Sequence, residues 1–410
     1  MSSNRTQTEK EQQAITNLLM AQEEGRVPST CLYKHHIHTP FALCGEILDK
    51  IKIPPVSKVL VMFNLEFLYT ASKRVDFSLD DVYYYTTDKV KARLAKLLIP
   101  GVEVINELDD GMKFNVIVGN PPYQSGKGNS DKLWPMFIEK CISMTAVDGF
   151  VSLVCPDTWT SGTESVCLTG RKNILSDLLL TNNPTIFNFN VGYHFSGIGS
   201  SFSYFVVQRA PYCGITRIIT ESTNFTTDLT GFRCLLRNPT KKSLAIAAKV
   251  FNSGGTPFKF KFVDGRDIEY TEFKDKDHPH FFYNANSDRK DMWGNRRNGP
   301  SIAKIHLRYL GTNFAFDYDI AGNINVMHNG RVWPIPEGVV TSVDFCKSVF
   351  ESKLFKFLVY NNKWGQYNEP KILNQIPVID LSRAWTDKEL YDHFGLTEEE
   401  RLYIDPSYKA

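Results

Sequence analysis

The sequence lacks three features that would each place the chain in a distinct class of protein. No apolar run approaches the ~20 residues that a membrane span needs, and the polar first residues do not resemble a signal peptide. The eight cysteines include no Cys-x-x-Cys pair, which argues against a zinc module or disulfide framework and predicts free thiols. A formal net charge of +2 means that any field attracting nucleic acid must come from local clusters. We therefore expect a soluble protein of the reducing cytoplasm, and 410 residues allow two domains.

One stretch combines a buried strand with an unusual turn. Residues 114–119 are largely apolar without alternation, which is typical of a strand covered on both faces. Asn120-Pro121-Pro122-Tyr123 follows, and two prolines cannot continue a strand because they have no N–H. The turn should therefore lie at the carboxyl end of a buried strand, where open α/β sheets bind ligands.

This turn suits chemistry on the exocyclic amine of a nucleobase. Such an amine is a poor nucleophile, because its lone pair is delocalised into the ring. The Asn120 side-chain oxygen and the Pro121 carbonyl could each accept one N–H and stabilise the positive charge that develops on the nitrogen. Tyr123 offers a flat face for a base that has left the helix. A plain Asn-Pro turn is the alternative, but the full Asn-Pro-Pro-Tyr run after an apolar strand favours the catalytic interpretation.

Asn120-Pro121-Pro122-Tyr123 resembles the catalytic motif of S-adenosylmethionine-dependent amino-methyltransferases, in particular the N6-adenine DNA methyltransferases of restriction–modification systems. The resemblance implies a Rossmann-like α/β sheet with helices on both faces, followed by a mixed α+β target-recognition domain. It also implies methyl transfer from S-adenosylmethionine to adenine N6 in double-stranded DNA by base flipping. A cognate restriction endonuclease is a further expected partner, and the cytoplasm of a bacterial or phage-infected cell is the expected location.

Two strand tips carry polar side chains that suit a nucleoside. Asp88 ends a predicted strand about 20 residues past the first loop, the spacing at which a carboxylate binds ribose hydroxyls. Asp88 is also a natural helix N-cap, and we expect both roles. In the family, an acidic or amide residue after the next strand holds the cofactor adenine. Asn106, Glu107 and Asp109 are the candidates for that contact, and the sequence leaves the choice among them open.

The expected cofactor loop departs from the family pattern. It should follow the strand at residues 58–63, but the chain has no glycine between Gly45 and Gly101, and glycines usually let this loop approach the ligand. Either Asn64 and Glu66, followed by Phe67, contact the cofactor in a shorter loop, or the pocket has decayed. We expect the first, because the other family landmarks surround this loop.

A second cofactor segment is expected before the first strand. Thr39-Pro40 reads as a helix opening. It also resembles the family segment that closes over the methionine end of the cofactor. The histidines at positions 35, 36 and 38 raise the possibility of a metal site, but no nearby carboxylate or cysteine pattern supports it. We expect a polar loop near the cofactor and no metal.

Two further regions are expected to contact DNA. Phe195 lies in a segment like that lining the target-base pocket of the family, where it would stack on the base; a buried core aromatic is the alternative. The alternation of strands and helices fades near residue 215, so we predict a methyltransferase domain with an N-terminal helical segment at 1–214 and a DNA-binding domain at 215–410. Within the second domain, a basic stretch near Trp293 suits phosphate contacts, although a solvated loop would look the same. Its DNA-binding candidates are Arg289, Lys290, Arg296 and Arg297.

The sequence is consistent with two functions, one of an enzyme and one of a non-catalytic binding protein. The first is a site-specific DNA adenine methyltransferase. The second is a catalytically decayed, methyltransferase-like DNA-binding or specificity protein that no longer binds S-adenosylmethionine, for which the glycine-free loop is the best support. Cytosine N4 methylation is disfavoured because that class more often has Ser-Pro-Pro at this turn.

Overall fold

The computed structural model describes residues 6–24, 39–51, 57–74, 81–124, 132–195, 201–263, 267–283, 291–298, 301–307, 316–326, 330–362 and 371–408. The chain divides into two compact units. The first contains residues 1–159 and 164–230, and the second contains residues 160–163 and 231–410. No helix within these ranges is long and apolar enough to cross a membrane.

The first unit alternates strands and helices over most of its length. In chain order its main elements are α1 Gln7–Glu23, α2 Phe41–Lys50, β1 Val59–Met62, α3 Leu65–Ser72, β2 Val82–Tyr85, α4 Lys89–Leu98, β3 Glu103–Ile105, β4 Phe114–Gly119, α5 Trp134–Met144, β5 Thr145–Pro156, β6 Glu164–Cys167, β7 Gly170–Asn173, β8 Asn183–Asn188, β9 Phe202–Gln208, β10 Thr216–Ile219 and β11 Asn224–Thr227. Shorter helices are a π-helix at Ile174–Leu179 and a 3-10 turn at Gly192–His194, and a further 3-10 turn at Asp157–Ser161 runs across the boundary between the units.

Nine of these strands form one sheet in the order β11-β10-β8-β9-β5-β4-β1-β2-β3. Strands β3, β2, β1, β4 and β5 pair in parallel, and β9 is antiparallel to both β5 and β8. The order 3-2-1-4-5 is that of doubly wound nucleotide-binding sheets. The Rossmann-like α/β fold predicted from the sequence is therefore confirmed.

Helices cover both faces of the parallel strands. Val59 and Val61 of β1 belong to a core cluster that includes residues of α2, α3 and α4. Met62 faces the other way, where its sulfur lies 3.1 Å from the Cys141 thiol of α5. Burial on both faces explains why β1 and β4 are apolar without alternation.

The first unit extends past the expected boundary after residue 214. Strand β10 pairs in parallel with β8, and β11 pairs with β10, so both belong to the large sheet. Both strands have four residues; β10 alternates buried with half-buried residues, and β11, at the sheet edge, alternates exposed with half-buried ones. Short strands near a sheet edge give a weak sequence pattern, which explains why the sequence placed the boundary earlier.

The second unit contains five helices and eight strands within its described ranges. They are α6 Lys241–Phe251, β12 Lys261–Val263, β13 Tyr270–Thr271, β14 His280–Tyr283, β15 Met292–Gly294, β16 Lys304–Leu307, β17 Phe316–Asp319, β18 Asn325–Val326, β19 Gly330–Pro334, α7 Val343–Phe350, α8 Lys353–Tyr360, α9 Asp387–His393 and α10 Glu398–Ile404. A 3-10 turn covers Leu373–Gln375. The strands form two sheets, β12-β19-β16-β17 and β13-β15-β14-β18. This is the mixed α+β arrangement predicted for the second half.

An aromatic cluster forms the core beneath the first of these sheets. The Phe258 ring lies 4.8 Å from that of Trp333 and 5.1 Å from that of Phe350. Phe350 in turn lies 4.9 Å from Phe316 of β17. Packed aromatic pairs of this kind contribute about 0.5–1.5 kcal/mol each beyond the area that they bury.

The second unit also buries a histidine, which predicts an acid-sensitive stability. Burial, and secondarily the Lys304 ammonium, lowers the pKa of His306 to about 4, although Asp319 opposes the shift. Lys304 and Asp319 themselves form a buried ion pair with an Nζ–Oδ2 distance of 2.9 Å. The unfolded chain takes up the histidine proton first as the pH falls, because its histidine keeps the ordinary pKa. The contribution of the neutral His306 side chain to the free energy of unfolding is therefore complete above about pH 6.5. It decreases as the pH falls towards 4, by about 3 kcal/mol in all.

Urea unfolding across this pH range tests the prediction. His306→Leu removes the titrating group, so the dependence of its unfolding free energy on pH should be flatter than that of the wild type. Equal pH dependence in the two proteins would assign the acid sensitivity to other groups.

Candidate active site

The parallel strands place four polar tips at one edge of the first unit's sheet. Met62 is in register with Tyr85 of β2 and with Gly119 of β4, and Tyr85 is in register with Ile105 of β3. The residues that follow these strands therefore share the carboxyl edge, where open α/β sheets bind ligands. The candidate site is the set of side chains at this edge.

Asn120 lies at the centre of the edge and is hydrogen-bonded to Thr39, Tyr123 and Asn64. Its Nδ2 donates to Thr39 Oγ1 at 3.0 Å, and its Oδ1 accepts from the Tyr123 hydroxyl at 2.5 Å. Its backbone N–H donates to Asn64 Oδ1 at 3.0 Å. The side chain is buried, with 6% of Asn120 exposed. The predicted catalytic amide is therefore fixed in orientation by Tyr123 of the same turn and by Thr39, which lies far away in the sequence.

The turn continues into a row of aromatic rings. Pro121 is buried and Pro122 is half-buried. The half-buried Tyr123 ring lies 5.4 Å from Phe202, at an interplanar angle of 31°. Phe202 lies 4.8 Å from Phe195, which is 6% exposed and belongs to the core cluster. The structure thus brings Tyr123 and Phe195 to one place, joined by a ring that the sequence analysis missed.

Burial raises the pKa of the Tyr123 hydroxyl well above its ordinary value. The hydroxyl is therefore neutral at physiological pH and keeps the proton that it donates to Asn120.

The sequence pattern of β9 could have identified Phe202 as a core residue. It opens β9 two residues before the buried Tyr204, so both side chains lie on the same face of the strand.

The tip of β1 adopts a glycine-like backbone without glycine. Phe63 has φ 67, a left-handed conformation that is uncommon for a bulky residue. Its carbonyl accepts from the Tyr84 hydroxyl at 2.8 Å and from Lys91 Nζ at 3.4 Å. Its ring contacts Tyr85 and Phe137 edge-on, with centroids 5.0 and 5.1 Å away. These contacts hold Phe63 in the left-handed conformation that glycine adopts without strain.

The residues after Phe63 are buried. Asn64 is 3% exposed and contacts Asn120, while Glu66 is fully buried. Phe67 is also fully buried and belongs to the core cluster, and its contact with a cofactor stays a prediction.

Lys91 is a charged residue near this loop that the sequence analysis did not single out. It is 6% exposed, and burial lowers its pKa, while Glu66 and Asp88 raise it. The buried face of α4 contains Lys91, Ala95 and Leu98, at helical spacing. That spacing could have identified the lysine as an inward-facing residue.

Three predicted cofactor residues stand exposed at the same edge. Asp88 caps α4, where its Oδ1 accepts from Val90 N at 2.7 Å and from Lys91 N at 3.2 Å. Asn106 and Glu107 directly follow β3. The N-cap role of Asp88 is therefore present, and the nucleoside contacts of all three residues stay predictions.

Two of the predicted DNA-binding residues, Arg296 and Arg297, follow β15 in the second unit. Arg296 is exposed and donates to the Asp267 carbonyl at 3.3 Å. Arg297 donates to the Gly322 carbonyl at 3.1 Å and to the Ser301 hydroxyl. Arg289 and Lys290 lie outside the described residues. Lys304, in the same basic stretch, is 2% exposed, so it serves the buried ion pair rather than a surface for phosphates.

Gly119, directly before Asn120, is required by close packing. A Cβ there would lie 2.6 Å from the Met62 carbonyl oxygen and 2.7 Å from Met62 Cβ. Because the first contact is with backbone, β4 would have to move away from β1.

We expect Gly119→Ala to lower the free energy of unfolding by about 2–3 kcal/mol, as measured by urea unfolding. Gly192→Ala is the control, because a Cβ there meets no atom within 4 Å; equal losses in both variants would contradict the packing argument.

A family model matches the part of the chain that carries this site. Residues 76–183 match the model described as Eco57I restriction-modification methylase. The segment runs from β2 to β7 and includes Asn120 and Tyr123. The match confirms the resemblance to restriction–modification methyltransferases that the sequence predicted. No curated protein gives a significant match.

Several solved structures are similar to the chain. One is a modification subunit assigned to a type I restriction enzyme from Vibrio vulnificus, with 10% identity, a TM-score of 0.38 and coverage of 53% of this chain and 54% of that one. Another is the M protein of the type I restriction enzyme EcoKI, with 17% identity, a TM-score of 0.35 and coverage of 48% and 53%. The type IIL restriction-modification enzyme MmeI, solved in complex with DNA, has 10% identity, a TM-score of 0.45 and coverage of 98% and 74%. The chain spans about half the length of the two type I subunits.

Proposed function

We propose that the protein is a site-specific DNA methyltransferase that transfers a methyl group from S-adenosylmethionine to adenine N6 in double-stranded DNA. The observation that carries the proposal is the buried Asn120 carboxamide, fixed at the end of β4 and followed by Pro121-Pro122-Tyr123. The family match over residues 76–183 supports DNA as the substrate. The cytoplasm, and a cognate restriction endonuclease as partner, belong to the same proposal.

The chemistry assigned to the chain is recognition and polarisation of an amine. Asn120 Oδ1 and the Pro121 carbonyl accept the two N–H groups of adenine N6, and they stabilise the positive charge that the nitrogen acquires as it forms a bond to carbon. Oδ1 accepts from Tyr123, but a carbonyl oxygen has two lone pairs, so that bond does not exclude an amine donor. The proton displaced from N6 passes to solvent. S-adenosylmethionine, when bound, supplies an electrophilic methyl group on a sulfonium.

The flipped base requires an apolar surface beside this amide. Tyr123 is half-buried and continues into Phe202 and Phe195, so an aromatic wall adjoins Asn120. Stacking of a base on an aromatic side chain contributes about 1–3 kcal/mol. This offsets part of the unstacking energy, which is a few kcal/mol.

The side chains at the neighbouring strand tips fit the proposed cofactor. Asp88 and Glu107 are exposed carboxylates and Asn106 is an exposed amide, which suit ribose hydroxyls and an adenine amine. The left-handed Phe63 supports a loop that keeps its shape without glycine, so the missing glycines do not argue for a decayed pocket.

Two measurements test the proposal against its rival, a decayed DNA-binding protein. Calorimetry with S-adenosylmethionine should detect binding by the purified protein; absence of binding, with and without DNA, would favour the rival. Long-read sequencing of DNA from cells that express the protein, in a host without adenine methyltransferases, should show N6-methyladenine at one sequence motif. Unmodified DNA, or N4-methylcytosine in its place, would contradict the proposal.

A further inference from the structure

We infer that Thr39 and Asn64 act as positioning residues for Asn120, Thr39 at its carboxamide and Asn64 at its backbone N–H; this inference rests on the proposed function of the same site. Both residues were expected to contact the cofactor. In the structure the side chain of each accepts a hydrogen bond from Asn120, across 81 and 56 residues of sequence respectively. Thr39 is fully buried and Asn64 is 3% exposed, so both bonds are shielded from water.

Thr39 fixes the plane of the amide together with Tyr123. The Thr39 hydroxyl accepts from Nδ2 at 3.0 Å, while the Tyr123 hydroxyl donates to Oδ1 at 2.5 Å. Rotation of the carboxamide about its terminal bond would break both contacts. A displacement of about 1 Å at a reacting group can cost on the order of 100-fold in rate. The Thr39 contact therefore acts on the reaction through Asn120.

Asn64 fixes the backbone at the same point. It occupies the N-cap of α3, where asparagine usually accepts from its own helix, but it makes no side-chain cap bond. Its Oδ1 instead accepts the backbone N–H of Asn120 at 3.0 Å. Pro121 and Pro122 have no N–H, so the N–H of Asn120 is the last backbone donor of the chain before Tyr123. Asn64, which lies in the neighbouring β1–α3 loop, thereby holds the end of β4 in place.

Kinetics and cofactor binding together separate positioning from cofactor contact. Thr39→Val should lower the single-turnover rate of methyl transfer by about tenfold or more, measured with saturating labelled S-adenosylmethionine and plasmid DNA from a host without adenine methylation. Its dissociation constant for S-adenosylmethionine, measured by calorimetry, should stay close to the wild-type value, because the Thr39 hydroxyl contacts Asn120; a hydrogen bond lost from the cofactor would weaken binding by about fivefold. Thr39→Ser retains the hydroxyl and should restore most of the rate. Weaker cofactor binding with a normal rate at saturation would overturn the inference, as would equal rates for the serine and valine variants.

Asn64 offers an independent pair of variants. Asn64→Leu removes the acceptor and should lower the same rate, whereas Asn64→Asp keeps an acceptor oxygen and should retain more of it. Thr216→Val is the matched control, because Thr216 is also fully buried and donates to the Pro184 carbonyl in β8, at 2.9 Å. It should lose melting temperature without a change in rate.

A stability cycle tests the contact even if the proposed reaction is wrong. Thr39→Val, Asn120→Ala and the double variant are compared by melting temperature. If the two side chains bond to each other, the double variant should lose clearly less than the sum of the single losses. Additive losses would overturn the inference whatever the activity. No methyl transfer by the wild type would instead overturn the proposed function and, with it, the catalytic meaning of the contact.

Discussion

Asn120→Ala is expected to reduce methyl transfer to DNA by about 100- to 1,000-fold, the range found when one electrostatic stabiliser of a transition state is removed. Of the four side chains in the Asn120–Tyr123 turn, only that of Asn120 has an amide oxygen, which can accept an N–H. Its loss removes one of the two proposed acceptors for adenine N6. Binding of S-adenosylmethionine should persist, because the exposed cofactor candidates lie at other strand tips.

The rate is measured in single turnover, beside calorimetry and a melting curve. The variant also leaves the Thr39 and Tyr123 hydroxyls without this partner, which should lower the free energy of unfolding by about 1–3 kcal/mol. Asn224→Ala is the control: Asn224 is an exposed asparagine of the same unit whose Oδ1 accepts from Arg217. A folded Asn120→Ala protein that transfers methyl groups at the wild-type rate would contradict the proposed role.

Replacement of Tyr123 should give the second largest effect, and two variants separate its ring from its hydroxyl. Tyr123→Ala removes the proposed stacking surface, and the 1–3 kcal/mol typical of base stacking corresponds to about a 5- to 150-fold loss in kcat/KM. Tyr123→Phe keeps the ring beside Phe202 and loses only the bond to Asn120 Oδ1. A neutral hydrogen bond of about 1 kcal/mol predicts a loss of about fivefold.

Steady-state kinetics on plasmid DNA measure both Tyr123 variants. Tyr212→Phe is the control for the lost hydroxyl, because the Tyr212 oxygen accepts from Leu229 N at 2.9 Å within the same unit. Equal losses for Tyr123→Phe and Tyr123→Ala would assign the whole effect to the hydroxyl and argue against stacking on this ring.

The parts of the fold that the sequence predicted well are those governed by local pattern. The apolar run of β4 ends in two prolines, and both features act within a few residues, so the strand and its turn were clear before the structure. Asp88 was likewise readable as a helix cap, because capping depends on the residue and its immediate neighbours.

The parts that the sequence did not predict depend on distant contacts or on short edge strands. Asn64 meets Asn120 because β1 and β4 pair in parallel, whereas Thr39 reaches Asn120 from the segment before α2. No local signal in the sequence reports either contact. The left-handed Phe63 is stabilised by Tyr84, Lys91 and two further rings from other elements. Lysine is rarely buried, and no local pattern reports that Lys304 pairs with Asp319 across β16 and β17 in the interior.

The most direct test of the central claim is a structure of the protein with a non-reactive analogue of S-adenosylmethionine and a duplex that contains its recognition sequence. The account predicts an extrahelical adenine whose N6 lies about 3 Å from both Asn120 Oδ1 and the Pro121 carbonyl, with its ring against Tyr123 and the analogue's methyl position facing N6. A target base that remains stacked in the duplex, or one that is bound away from Asn120, would contradict it.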